Sequence, residues 1–287
     1  MQRLRNNETA FWQNSYVQIW VRRSPNAWRV AYRAQNPVSN AEYDKAKSQG
    51  LLGKAKGFVL PGVHIDISDL EWQEFVPEVD GDSVGVFPVL PENSVVVRTE
   101  MPIMLGPGRT LSLYAAIPMW MSVRVIDATA AEKRTRGGYA NLGAALVDVP
   151  VLTLSQTWFG GPMTGRLCFR SDKTLSHTPD IDIDPLAYAR CPLRIRNSGK
   201  VAVSIGSIAI PTDQMKLYRT VGSAGSVAFW SNPVSATYSA AEELHLGVVD
   251  RRPGIDMPLE PWMPPRTSHA DHLFQRGLIL LREISNS

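Results

Sequence analysis

The chain has 287 residues, 44% of them hydrophobic and 20% charged, and 30 Lys and Arg against 27 Asp and Glu leave a net charge of +3. Disorder is excluded, because it needs low hydrophobicity combined with high net charge. Two cysteines are too few for a disulfide scaffold, and so small a charge does not by itself point to nucleic acid.

From Met1 to Arg33 six arginines (Arg3, Arg5, Arg22, Arg23, Arg29 and Arg33) stand against Glu8. Between Lys56 and Arg98 there are eight acids and no Lys or Arg. Such blocks read either as two solvated faces that complement each other, or as a basic contact surface for an acidic partner that includes Arg22 and Arg23. The first residues carry no apolar stretch after their charges, so no secretory signal is expected. Nothing near Leu111–Val123 is long enough to span a bilayer. A cytoplasmic location with reduced Cys168 and Cys191 is the expectation.

Along the chain, period 2 dominates. Trp28, Val30 and Tyr32 alternate with Arg29, Ala31 and Arg33, as in a half-buried strand. Asn40 suits the cap of a short helix over Ala41–Ser48, ended by Gly50. Gly106-Pro107-Gly108 separates a strand over Val95–Leu105 from one over Thr110–Ile117 and reads as a hairpin turn. Met119, Met121, Val123 and Val125 continue the alternation. Ala128–Gly143 has no strand pattern and reads as a flexible connection. It divides a β-rich domain at 1–127 from a β-sandwich domain at 146–287, with the connection at 128–145.

Asn197-Ser198-Gly199 separates Leu193–Arg196 from Val201–Ile210, and a slip of period at Gly206-Ser207 marks a β-bulge. Ser223-Ala224-Gly225 separates Met215–Val221 from Val227–Trp230. Ser268–Glu283 fits a helix, or a last strand at Leu278–Ile284. Short strands with Gly, Pro and Asn turns every 8–12 residues predict an all-β fold. One or two antiparallel β-sandwich units, Ig-like or jelly-roll-like, with little helix, are expected. Val95–Pro118 and Leu193–Pro211 share the order strand, Gly turn, strand, Pro, an internal echo of the kind a repeat produces.

Four constellations bear on chemistry. In an extended chain Asp180, Asp182 and Asp184 lie on one side. They read as a solvated loop or charged strand edge, as a structural cation site, or as paired carboxylates for glycoside hydrolysis. The calcium-loop pattern fails, because Pro185 and Cys191 stand where it needs Gly and Glu. Nearby Arg190, Arg194 and Arg196 offer neutralisation without a metal. Trp158-Phe159-Gly160-Gly161-Pro162 sets two aromatics before a backbone bend, either a stacking platform or a plug between sheets. His269, Asp271 and His272 form an exposed helix start or an incomplete metal site. Cys168 sits between Leu167 and Phe169 and reads as a buried, inert thiol. No nucleophile elbow, dinucleotide fingerprint or phosphate loop is present, so no cofactor is expected.

Ordered blocks carry a family resemblance. Leu154-Ser155-Gln156-Thr157-Trp158-Phe159-Gly160 precedes Gly165-Arg166-Leu167-Cys168-Phe169. Pro192-Leu193-Arg194-Ile195-Arg196-Asn197, Ile210-Pro211 and Leu217-Tyr218 follow. Upstream stand Ile19-Trp20-Val21-Arg22-Arg23, Ala27-Trp28-Arg29-Val30, Val97-Arg98-Thr99-Glu100-Met101-Pro102 and Ile117-Pro118-Met119-Trp120. From about residue 15 to about residue 240 the chain resembles the bacterial and archaeal family catalogued as domain of unknown function 432. The resemblance implies an architecture and a kinship, not a reaction. Its association with small mechanosensitive channels implies a membrane-channel partner on the cytoplasmic side.

The resulting expectation is a non-catalytic binding or accessory protein with a protein partner. Trp158, Phe159, Gly160, Arg22 and Arg23 are its candidate binding residues. The alternative is a carbohydrate-binding or carbohydrate-active protein using the Asp180–Asp184 loop. Nucleic acid is not expected, because the basic residues are not interleaved with a stacking motif. A membrane span is not expected either.

Overall fold

Alternation becomes strand over most of the described residues, since side chains of period 2 can bury one face and wet the other. The computed structural model describes residues 1–34, 69–78, 81–127, 142–163, 165–221, 227–239 and 244–267. In chain order its strands are β1 (Gln2–Arg3), β2 (Thr9–Gln13), β3 (Val17–Arg23), β4 (Trp28–Ala34), β5 (Gln73–Phe75) and β6 (Ser83–Val89). Then come β7 (Val95–Leu105), β8 (Thr110–Pro118), β9 (Trp120–Ile126), β10 (Ala144–Pro150), β11 (Gln156–Phe159), β12 (Arg166–Thr174) and β13 (Tyr188–Asn197). The last are β14 (Val203–Ile210), β15 (Leu217–Thr220), β16 (Phe229–Ser231), β17 (Val234–Tyr238), β18 (Leu244–Val248) and β19 (Leu259–Met263). The helical element among the described residues is one 3-10 turn, Thr212–Gln214.

Four sheets enclose two main cores. Sheet β2-β3-β4-β5 and sheet β1-β6-β9-β10 bury Trp12, Ile19, Val21 and Trp28 against Val84, Met121, Val123 and Val125. Sheet β11-β12-β7-β14 faces a seven-stranded sheet ordered β18-β17-β13-β16-β15-β19, with β8 on the other side of β13. There Val95, Val97, Phe169 and Ile208 meet Leu113, Leu193, Ile195 and Phe229. The fold is all-β and sandwich-like. Its sheets are mixed, because β12 runs parallel to β7 and β13 runs parallel to both β16 and β17.

The connection at 128–145 does not separate two units. β7 pairs with β14 from Val95↔Ile210 to Leu105↔Val203, and β8 pairs with β13 from Thr110↔Arg196 to Pro118↔Tyr188. The chain thus enters the second sandwich with β7 and β8, returns to the first with β9 and β10, and leaves it again. Residues 128–141 lie outside the described residues, and Ala144 and Ala145 open β10; which sheets share a core is decided by the apolar faces that must be covered.

Gly106-Pro107-Gly108 is likewise not a hairpin turn. It carries the chain from the β7 sheet to the β8 sheet across the core, with Gly108 at φ +69°, a conformation cheap for glycine. Asn197-Ser198-Gly199 makes the return crossing. The two crossings stack: Gly108 N–H donates to Asn197 O at 2.8 Å, and Asn197 N–H to Arg109 O at 2.9 Å. The buried Asn197 amide donates to Leu105 O at 2.9 Å and Val201 O at 2.7 Å, and its oxygen accepts Gly199 N–H at 2.9 Å. The internal echo is therefore a pair of arches packed antiparallel. The slip at Gly206-Ser207 is present too, but the extra residues lie on β7. Arg98 opposes Ser207 while Ile103 opposes Ile205, and the Thr99 hydroxyl bonds Ile205 O and Gly206 O across the gap.

The expected helices at Ala41–Ser48 and Ser268–Glu283, the strand at Leu278–Ile284 and the turn Ser223–Gly225 lie outside the described residues. No helix of the described residues is long and apolar enough to cross a membrane.

Candidate functional site

β11 is the edge strand of its sheet, and its hairpin with β12 pairs Trp158 with Leu167 and Phe159 with Arg166. Neighbouring side chains point to opposite faces, and that separates the two aromatics. Phe159 packs with Val96, Cys168 and Ala209 in a small cluster on the outer face. Trp158 and Leu167 share the face of the core residue Phe169, yet remain 55% and 47% exposed, and Met163 in the turn is 94% exposed. Phe159 therefore fills the plug role and Trp158 keeps the open ring.

The turn fixes that ring. Gly160 sits at φ +112°. Gly161 O accepts both Trp158 Nε1–H at 3.0 Å and Gly165 N–H at 2.8 Å. A Cβ on Gly165 would stand 2.3 Å from Trp158 Nε1, so only glycine lets the indole lie across the turn.

Beside the Phe159 cluster, Arg98, Arg166 and Arg170 are exposed on the same outer face, with Arg170 opposite Val96 and Arg98 opposite Ser207. None of the three forms an ion pair among the described residues. The sequence gives little sign of this basic face, because it arises from the parallel pairing of β12 with β7.

Arg22 and Arg23 are instead engaged in bracing their own sheet. Arg22 Nε donates to Thr9 Oγ1 at 3.0 Å, and its guanidinium stands 4.8 Å from the Trp72 ring centre. Arg23 donates to Leu4 O at 2.8 Å and lies 5.7 Å from the Trp28 ring. Ion pairs Arg29–Glu74 and Arg3–Asp82 join the basic opening segment to the acidic block, as two complementary faces would.

The Asp180–Asp184 segment keeps its alternation without being a strand. Ile181 and Ile183 pack on the first core, Asp180 and Asp182 are exposed, and Asp184 caps a turn by accepting Leu186 N–H at 2.8 Å. No three His, Cys, Asp or Glu side chains among the described residues converge as metal ligands. His269, Asp271 and His272 lie outside those residues.

The segment does wall a cavity of about 360 Å³ on the outer face of the seven-stranded sheet, with Arg190, Trp230 and Asp256 also lining it. Arg190 Nε donates to Pro179 O at 3.0 Å, and its guanidinium is 5.8 Å from the Trp230 ring centre. Burial pulls the Arg190 pKa down, and Asp180 opposes that shift. Trp230 is 4% exposed, and its buried Nε1–H has no partner among the described residues.

Burial raises the pKa of the Cys168 thiol and pushes that of Cys191 up to about 12. Both stay protonated at neutral pH, and a protonated thiol is a poor nucleophile.

Fold and surfaces together define an all-β protein of two interleaved sandwiches. The exposed Trp158 ring and Arg98, Arg166 and Arg170, which form no ion pair among the described residues, lie on one sheet, and the Arg190–Trp230 cavity on the sheet opposite. The chain belongs to the family described as "Protein of unknown function (DUF432)", whose model matches residues 1–277. No curated protein and no solved structure matches it.

Proposed function

We propose that this protein is a non-catalytic binding module that takes an acidic segment of a protein partner on the β11–β12 hairpin and the basic face beside it. The observation that carries this reading is an edge hairpin with Trp158 and Leu167 exposed on one face and Met163 in its turn, and with Arg98, Arg166 and Arg170, none of them ion-paired among the described residues, on the other face. Tryptophan and arginine are the residues most often dominant in interfaces. An edge strand offers free backbone groups to an extended segment, and the arginines select an acidic one. Glycines at 160, 161 and 165 hold the indole ready, which lowers the ordering cost of binding. The finer form of the proposal is a membrane channel as the partner, met from the cytoplasmic side, as the family association implies.

Affinity purification of the tagged protein from its native cells, with membranes solubilised, followed by mass spectrometry, tests both levels. Trp158→Ala and the pair Arg166→Glu with Arg170→Glu should each weaken capture of the recovered partner about 30-fold, the scale of an interface hot spot. Equal capture by the three proteins, or no partner at all, overturns the reading. A soluble partner in place of a channel removes the finer form alone.

A further inference from the structure

We propose that the open edge of β11 takes the partner's segment as an added fifth strand of its sheet, and that this segment alternates apolar and acidic residues with period 2. The inference rests on the docking reading above and deepens it.

Trp158 and Leu167 lie on one face of the hairpin, and Arg166 and Arg170 on the other. A partner surface laid against either face meets only one of these sets. A strand laid along the edge reaches both, because its own side chains alternate between the faces.

The backbone of that edge is open. Arg170 N–H donates to Ser155 O at 2.9 Å, whereas Phe169 N–H is turned the other way, to Ser94 O just before β7, also at 2.9 Å. Residues of an antiparallel pair alternate between bonding across the ladder and pointing away from it. Ser155 bonds toward β12, so Gln156, opposite Phe169, points away; Thr157 bonds toward β12, and Trp158 points away in turn. No described strand lies beyond β11. The N–H and C=O groups of Gln156 and Trp158 therefore face outward, and both residues are exposed. These are the groups with which an extended segment pairs.

Register then sets the sequence. A residue opposite Trp158 falls on the face of the indole and of Leu167, and is apolar. Residues opposite Thr157 and Phe159 fall on the outer face. Arg166 stands across from Phe159 and Arg170 across from Ser155, two strand spacings, about 10 Å, from the added backbone. A guanidinium and a glutamate carboxylate reach toward each other across that distance, so these residues are acidic. Neither arginine has an ion pair to give up among the described residues. β11 is four residues long, which sets the length of the segment.

The test is fluorescence anisotropy with the full-length protein. The probe is a capped, fluorescein-labelled peptide, Gly-Ser-Glu-Val-Glu-Val-Glu-Ser-Gly. Its control has the same composition in the order Gly-Ser-Glu-Glu-Glu-Val-Val-Ser-Gly. The alternating peptide should bind with a Kd on the order of 10–100 μM, and the control about 10-fold more weakly or worse. Methylating the backbone nitrogens of the valines, or those of the glutamates, removes the N–H groups from one edge of the peptide strand at a time. One set should abolish binding and the other should leave it within about 2-fold. The valines are the sensitive set if the strand adds antiparallel, the glutamates if it adds parallel. Gln156→Pro deletes a donor that β12 does not use, and an edge strand tolerates proline where its nitrogen faces solvent. This variant should keep its Tm within a few degrees and weaken the alternating peptide about 10-fold. Equal binding of the two peptides, equal effects of the two methylated sets, or no binding at all overturns strand addition. The docking reading itself stands or falls on the capture experiment above, so the two failures are told apart.

Discussion

Replacing Asn197 by Ala removes the side chain that ties the two arches together. Three hydrogen bonds go: two donated by the amide, to Leu105 O and Val201 O, and one accepted from Gly199 N–H. They are not equivalent. Val201 is exposed and Gly199 half-buried, so water replaces those two, and each loss is worth about 0.5–1 kcal/mol. The bond to Leu105 O is buried, and an unmatched buried carbonyl costs about 1–3 kcal/mol. The sum is about 3 kcal/mol, which for a chain of this size lowers Tm by roughly 6–12 °C. Asn197→Asp should cost more, since it sets carboxylate oxygens against two carbonyl oxygens. Calorimetry on the three proteins measures this directly. A fall of less than about 2 °C for Asn197→Ala, or an Asp variant as stable as the native chain, refutes the account of the crossing.

Gly165→Ala should mimic Trp158→Ala in partner capture, because its Cβ takes the space of the indole Nε1, while Tm changes by no more than a few degrees. Asp148→Ala removes the acid between Arg124 and Arg266, to the latter of which it is ion-paired. Stability should drop by about 2–3 kcal/mol, as when one partner of a part-buried pair is deleted, read as a lowered denaturation midpoint. Neither Cys168 nor Cys191 should react with a disulfide reagent at about pH 8 until the protein is unfolded. The folded state holds the Cys191 proton to about pH 12 whereas a free thiol releases it near pH 9. Stability from this group is therefore complete below about pH 9 and lost as pH rises toward 12, at about 1.4 kcal/mol per pH unit. Alkaline titration of the unfolding midpoint should show that slope, and Cys191→Ala should reduce it.

Local features were legible in the sequence. Alternation located β7, β8, β9 and β14 to within a residue or two, because each needs one wet and one buried face, but it found only the second half of β13, over Leu193–Arg196. Turn chemistry found Gly106–Gly108 and Asn197–Gly199. It did not show that both are crossings between sheets, since a glycine turn serves a hairpin and an arch alike. Period 2 put Asp180, Asp182 and Asp184 opposite Ile181 and Ile183, and the isoleucines do pack inward. Arg22 and Arg23 were visible as charge, but their engagement with Thr9, Leu4, Trp72 and Trp28 depends on cross-strand register. The Arg190–Trp230 cavity had no sequence signal, because its walls come from separate loops and from the parallel pairing of β13 with β16.

The basic face and the cavity share one dependence on topology. The basic face needs Arg98 from β7 alongside Arg166 and Arg170 from β12, and that pairing is parallel. Parallel neighbours cannot be joined by a tight turn, so the chain must travel away and back between them. Here it does so through β8, β9 and β10, which is why the first sandwich is completed by strands that follow β7 in the chain. The cavity needs β13 beside β16, again parallel, and β13 is held on its other side by β8. A cut at 128–145 would thus leave one piece without β12 and β13 and the other without β7 and β8. Neither piece would retain the basic face, and the cavity wall would lose the strand that anchors it. Both are products of the interleaving, and they exist only where both sandwiches fold as one.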